Sequence, residues 1–270
     1  MANSNYKGGI HNGFETLLKA IEELAGSKIE LSDIKDKADP AMLRAMDAKI
    51  ASREIAKERL EKHKSFVNSI YESKKVLPEN TFEKALQDDM NKDAFASARS
   101  FCYMAFISGE FSAAPPLFLL QGPAGTGKTY ICNCIANEFL NKKWKDVEIC
   151  DYNQIKKAKV PSQADTSFDI DAKNKAWQRF VTVDLLILDG LCKNNEALTA
   201  YDRQVLPELL RSRRANNLPM VITTPLQPTM MHNHLGDECF ESLKDYSVMT
   251  AALFGQSRRQ PILFGGARLN

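Results

Sequence analysis

Residues 122–129 read GPAGTGKT and match G-x-x-x-x-G-K-[ST] at every fixed position. That spacing performs phosphate binding. Glycines let the backbone curl so that successive N–H groups face one anion. The lysine reaches the β- and γ-phosphates, and the closing hydroxyl ligates Mg²⁺. Here Gly122, Pro123, Ala124, Gly125, Thr126 and Gly127 form the cradle, Lys128 supplies the cation, Thr129 supplies the hydroxyl, and Tyr130 follows directly. Further along, VDLLILDGL carries Asp189 at the end of an apolar run. A carboxylate there would hold the same Mg²⁺ through water. The cofactors implied are ATP or ADP and Mg²⁺, with Lys128 and Asp189 as the catalytic candidates.

Such a loop works only between a strand and a helix. LFLLQ (117–121) predicts a buried strand, and residues 127–141 predict the helix that the loop opens. Further strands are expected at VEICD (147–151), DLLILD (184–189), MVITT (220–224) and SVMTAALF (247–254), and helices at 92–108, 199–215 and 229–245. Strands alternating with helices imply a parallel sheet covered on both faces. Upstream the pattern is helical only. FETLLKAIEELAG places Phe14, Leu17, Leu18 and Ile21 on one face, and Asp39-Pro40 opens a second helix running to about Lys74. Residues 1–13 are small and polar, which predicts disorder. Pro78 marks a boundary. The expected organisation is an all-helical module over 1–76 and an α/β P-loop domain over 77–270.

Composition sets the limits. A chain of 270 residues with 44% hydrophobic and 26% charged content buries its own core. A net charge of +2 gives no global polycation signal, so nucleic-acid contacts must come from local clusters. Six scattered cysteines without a CxxC pair argue against zinc or a disulfide framework and for reduced thiols in a cytoplasmic protein. MANSNYKGGIHNG lacks the apolar core of a signal peptide, and no stretch approaches transmembrane length.

Several motifs stand in a fixed order: LPENTFEKAL, AFASARSF, GPAGTGKTYICNCIANEFLNK, VDLLILDGL, LPELLRSRRANNLPMVITT and HLGDECFESLK. Across Leu77–Arg259 this set resembles the bacterial replicative-helicase loaders of the DnaC/DnaI type, a branch of the AAA+ ATPases with IstB-type transposition helpers as relatives. The resemblance implies an AAA+ domain with a reduced C-terminal lid. It also implies an N-terminal module that grips a hexameric replicative helicase; Phe14, Leu17, Leu18 and Ile21 are the candidate contact, and packing on residues 41–74 of the same module is the ordinary reading of that stripe. ATPase domains would assemble side by side and hold single-stranded DNA.

Three positions depart from that pattern. Gly190 stands where the loaders carry the glutamate that handles water. Pro225 stands at the polar sensor, with Thr223 and Thr224 as neighbouring substitutes. Ser242 stands where a subunit would lend its arginine finger, with Lys244, Arg211, Arg213 and Arg214 as other cations. Glu196 is a weak substitute for the glutamate, and Arg259, or Arg258 beside it, falls at a second sensor. A site so altered should bind ATP–Mg²⁺ and hydrolyse it poorly. Drift of this kind would suit a phage or mobile-element protein.

Lys156, Lys157 and Lys159 follow the second strand, where loaders line the DNA path, and are the DNA-binding candidates. A solvated helix face is the plainer reading of the same triplet. Tyr152 beside them could stack on a base. Two other functions fit these residues: an IstB-like helper binding duplex DNA and a transposase, or a non-catalytic inhibitor of a helicase or its loader.

Overall fold

The computed structural model describes residues 40–111, 114–160, 165–259, 262–264 and 267–269. The helix and contact face expected at 14–25 lie outside the described residues. Two compact units divide the chain, residues 1–64 and 65–270. In the first, the described part belongs to helix α1 (Pro40–Glu72), whose side chains there are mostly exposed, Ile55 among them.

The second unit is a five-stranded sheet, parallel throughout, in the order β2-β3-β4-β1-β5. The strands are β1 (Pro116–Gln121), β2 (Val147–Cys150), β3 (Leu185–Leu188), β4 (Met220–Thr224) and β5 (Ser247–Ala252). Helix α2 (Lys92–Phe111) precedes β1, and α3 (Lys128–Lys142) follows it. Helices α4 (Tyr152–Lys159) and α5 (Ser167–Thr182) connect β2 to β3. Helix α6 (Asp202–Ala215) leads to β4, and α7 (Pro228–Leu235) and α8 (Asp237–Lys244) lead to β5. A short antiparallel pair, β6 (Ile262–Phe264) and β7 (Ala267–Leu269), follows. Among the described residues no helix comes after α8, in keeping with the reduced lid, and none is long and apolar enough to cross a membrane.

The period of two along a strand sorts the core into two layers. Leu117 and Leu119 of β1 join Leu186, Leu188, Met220 and Ile222 against the helices α4 to α8. Phe118 and Leu120 join Leu185, Ile187 and Val221 against α2 and α3. Val67 and partly buried Ile70 and Tyr71, from the last turns of α1, join this second layer. That packing draws the end of α1 into the larger unit, so the compact units divide at 64/65, twelve residues before the boundary that Pro78 suggested. The helix expected over 229–245 is two helices broken at Gly236 (φ 82°). Helix α5 was not expected.

Tyr152 is buried and its hydroxyl donates to the Asp202 carbonyl at 3.0 Å, so it is a packing residue and offers no base platform. Arg213 is fully buried and has no carboxylate partner among the described residues. It donates from Nη1 to the carbonyls of Phe180 (2.8 Å) and Val183 (3.0 Å) and from Nη2 to that of Pro219 (2.7 Å). It ties the end of α5 to the entry of β4, and burial pushes its pKa down to about 10. This arginine is a staple of the fold and is inaccessible to DNA or a neighbouring subunit.

Candidate nucleotide site

β1 lies between β4 and β5, its two neighbours from distant parts of the chain. Crevices beyond the carboxyl ends of parallel strands at such a switch point are where ligands sit. The loop 122–127 leaves β1 at that point. Gly122 N–H donates to Thr224 O (3.1 Å), and Leu253 N–H donates to Gln121 O (2.8 Å), so strands on both sides hold its root. Gly125 has φ 82°, and a Cβ there would fall 2.3 Å from Ser257 Oγ. Only glycine allows the segment after β5 to cross so closely. Arg258 N–H then donates to Gly125 O at 2.9 Å.

Thr126 is buried, its hydroxyl donating to Pro123 O at 2.9 Å. Lys128 Nζ donates to the Gly122 and Pro123 carbonyls at 2.6 and 2.7 Å, inside the curl of the loop. Burial lowers its pKa, and the nearby Asp189 charge opposes that shift. An anion in the loop would relieve the same desolvation cost. Tyr130 sits edge-to-face on Phe95 with ring centroids 6.3 Å apart, directed into the α2 contact.

The two residues expected to hold Mg²⁺ lie side by side. Thr129 Oγ1 donates to Asp189 Oδ2 at 2.9 Å across sixty residues of chain. A hydroxyl and a carboxylate, both hard oxygen donors, suit Mg²⁺. Asp189 is itself held, because Thr223 Oγ1 donates to its Oδ1 at 2.7 Å and accepts from Gly190 N–H at 2.8 Å. Thr224, the candidate sensor, faces elsewhere. It is fully buried and its Oγ1 accepts from Leu226 N–H at 3.2 Å. Adjacent strand residues point to opposite faces, so Thr223 takes the position at the carboxylate and Thr224 does not.

Arg258, rather than Arg259, contacts the loop. Its Nη2 is bidentate on Asp88, 2.9 and 2.8 Å from the two oxygens. That pairing holds the Asp88 carboxyl below its usual value. Arg259 is exposed, and its N–H donates to Ser257 Oγ at 3.2 Å. Ser242 is buried within α8, its hydroxyl donating to Glu238 O, and presents nothing to another subunit. Arg211 and Lys244 are exposed and paired with Glu238 and Glu241.

The lysine triplet is not a free cationic face. Lys156 Nζ lies 2.9 Å from Asp202 Oδ1. Lys159 pairs with Glu208 and stands 4.2 Å over the Trp177 ring. Lys157 alone of the three is exposed with no acidic partner among the described residues. Glu196 is exposed and lines, with Gly190, Lys193 and Asp151, a cavity of about 210 Å³ beside the end of β3.

No protein-family model matches the sequence, and no curated protein matches it. Solved structures do match. The replication initiator DnaA bound to AMPPCP and single-stranded DNA aligns with a TM-score of 0.52 at 17% identity, over 68% of this chain and 53% of that one. AMPPCP-bound DnaA from Aquifex aeolicus aligns at 0.50 and 16%, over 66% and 51%. The DnaC helicase loader aligns at 0.50 and 16%, over 65% of this chain and 97% of that one. The chain spans about half the length of the DnaA structures it matches. Its fold is that of the AAA+ P-loop domains in these replication proteins.

Proposed function

We propose that this chain is an ATP-binding helicase loader that holds its nucleotide rather than turning it over. The observation that carries the reading is the Thr129–Asp189–Thr223 chain of contacts ending at Gly190. The groups that hold a metal and phosphates are all present, while the next residue, which in loaders handles water, has no side chain. The backbone of Gly122–Gly127 and Lys128 would bind the phosphates. Thr129 and Asp189 would hold Mg²⁺, which when bound neutralises charge on the β- and γ-phosphates. Thr223 fixes the orientation of Asp189. A missing water-positioning group and a missing arginine finger each leave the chemical step slow, the finger alone by about 10³–10⁵-fold. ATP then acts as a ligand that favours whichever assembly binds it better.

The likeness of the fold to the DnaC helicase loader over nearly all of that chain supports a hexameric replicative helicase as partner, with single-stranded DNA as the strand it is placed on. Helicase contact through Phe14, Leu17, Leu18 and Ile21, and self-association of the ATPase domains, belong to the same proposal. Phosphate contact from α4 would rest on Lys157, since its neighbours are ion-paired. Native mass spectrometry of the full chain mixed with a replicative helicase, with and without ATP–Mg²⁺, tests the reading. A complex containing the helicase hexamer, with copy number set by ATP, is the expected result. Absence of any complex in both conditions would overturn it and leave a transposition helper, testable by duplex DNA binding.

A further inference from the structure

Gly190 is bare in sequence, yet the space above it is filled. Its φ is 94°, and a Cβ there would fall 2.0 Å from Lys193 Cε, 2.6 Å from Cγ and 2.8 Å from Cδ. The Lys193 ammonium is one C–N bond of about 1.5 Å beyond Cε, so it lies within about 3.5 Å of that Cβ position. A glutamate side chain at 190 would carry its carboxylate in the same shell. Lys193 thus occupies the volume that a side chain at 190 would need.

The turn that brings it there is built. Cys192 (φ 55°) and Asn195 (φ 60°) are both left-handed, and Asn195 N–H donates to Cys192 O at 3.0 Å. The reversal at Cys192 lies between Gly190 and Lys193 and turns the chain back, and the one at Asn195 closes the turn. The segment is pinned at both ends. Leu191 N–H donates to Thr223 O (2.8 Å), and Leu198 N–H donates to His234 O (2.9 Å). His234 Nε2 lies a further 3.0 Å from Asn195 O. Unlike Lys156 and Lys159, Lys193 has no acidic partner among the described residues. Its ammonium borders Gly190, directly after the carboxylate that Thr129 and Thr223 hold.

We propose that Lys193 is a nucleotide-binding residue that replaces the catalytic glutamate with a γ-phosphate contact made within the same chain. An ammonium cannot take a proton from water at neutral pH; it donates hydrogen bonds to phosphate oxygens. It favours the ligand with more phosphate charge near Asp189, so it favours ATP over ADP. The lysine thereby converts a hydrolysis position into one that reads the third phosphate. This rests on the ATP-binding reading above.

The test is calorimetric titration of the full chain with ATP and with ADP, both with Mg²⁺, for wild type, Lys193→Ala and Lys193→Arg. Lys193 is exposed on a loop, so neither variant should disturb the core. The expected result is that Lys193→Ala weakens ATP about tenfold or more and leaves ADP unchanged, while Lys193→Arg keeps the preference for ATP. Equal affinities of wild type and Lys193→Ala for ATP would overturn the assignment and leave the ATP-binding reading intact. Failure of wild type to bind either nucleotide would overturn both.

Discussion

On the P-loop side of the site, the groups proposed to hold phosphate and metal are held by hydrogen bonds to one another and to the loop. Thr129 reaches Asp189, Lys128 sits within the loop, and β4 and β5 brace the loop's root. Across the site, the segment 190–198 has Gly190 where the resemblance to loaders implies a glutamate, and Lys193 fills the volume a side chain there would need. It is no less ordered, since Thr223 and His234 anchor its ends and Thr223 serves both sides at once. The contrast separates binding from turnover. A site degraded by neglect would lose its supporting hydrogen bonds as well. Here the supporting hydrogen bonds are present around Gly190.

The contrast requires a rigid scaffold common to both sides, and Arg213 tests it. Arg213→Ala leaves three buried carbonyls without donors. Urea unfolding should show a loss of about 3–5 kcal/mol. A change below about 1 kcal/mol would mean that the staple does not carry the sheet.

Lys128→Ala strikes the intact side. ATP affinity should fall at least about 100-fold, and the nucleotide-induced rise in stability, about 2.7 kcal/mol at a hundredfold excess over Kd, should vanish. Calorimetry and thermal melts read both. Retained binding would erase the distinction between the two sides.

The substituted side is sharpened by restoring the acid. In Gly190→Glu the new carboxylate meets Lys193 and a φ of 94°, so hydrolysis should stay near the wild-type rate. In the double variant Gly190→Glu/Lys193→Ala the carboxylate is free to act on water. Phosphate release should rise about a hundredfold over the single variant, at the low end of the range for a positioned base. If the single variant is already as fast as the double, the lysine is not what fills the position.

The smallest effect is in pH. Burial depresses the Lys128 pKa from its usual 10.5, and phosphate binding requires the ammonium. As pH rises toward 10.5, ATP affinity should therefore fall, by up to about tenfold per unit once the lysine deprotonates. Protein stability responds with the opposite sign. A lysine with a depressed folded-state pKa leaves more protons on the unfolded chain in that window, so its contribution improves as pH rises. Titrations between pH 7.5 and about 10 would show whether the two trends diverge.

The sheet was legible because its strands are unbroken apolar runs, and the loop was legible because phosphate binding fixes residue types at fixed spacing. Helix α5 was hidden because SFDIDAKNKAWQRFVT buries only Trp177, Phe180 and Val181, and Phe168 and Ile170 stay exposed. Which of Thr223 and Thr224 meets Asp189 was not legible because strand register is not written locally. Leu188 pairs with Ile222, which sets Asp189 beside Thr223. Lys156 and Lys159 read as a free cationic cluster because Asp202 and Glu208 lie 46 and 49 residues away in the chain. The lysine over Gly190 depends on a left-handed Cys192, and cysteine gives little local warning of that conformation.

The most direct test of ATP held without turnover is a single-turnover experiment with protein in excess over radiolabelled ATP–Mg²⁺. It is run alone and with a replicative helicase plus single-stranded DNA. The expected result is nucleotide that is bound yet intact, with hydrolysis no faster than about 10⁻³ s⁻¹ in any mixture, within the range of an unassisted P-loop site. Hydrolysis approaching 1 s⁻¹ once helicase or DNA is added would contradict it, because a site with Gly190 beneath Lys193 would then be catalytically competent.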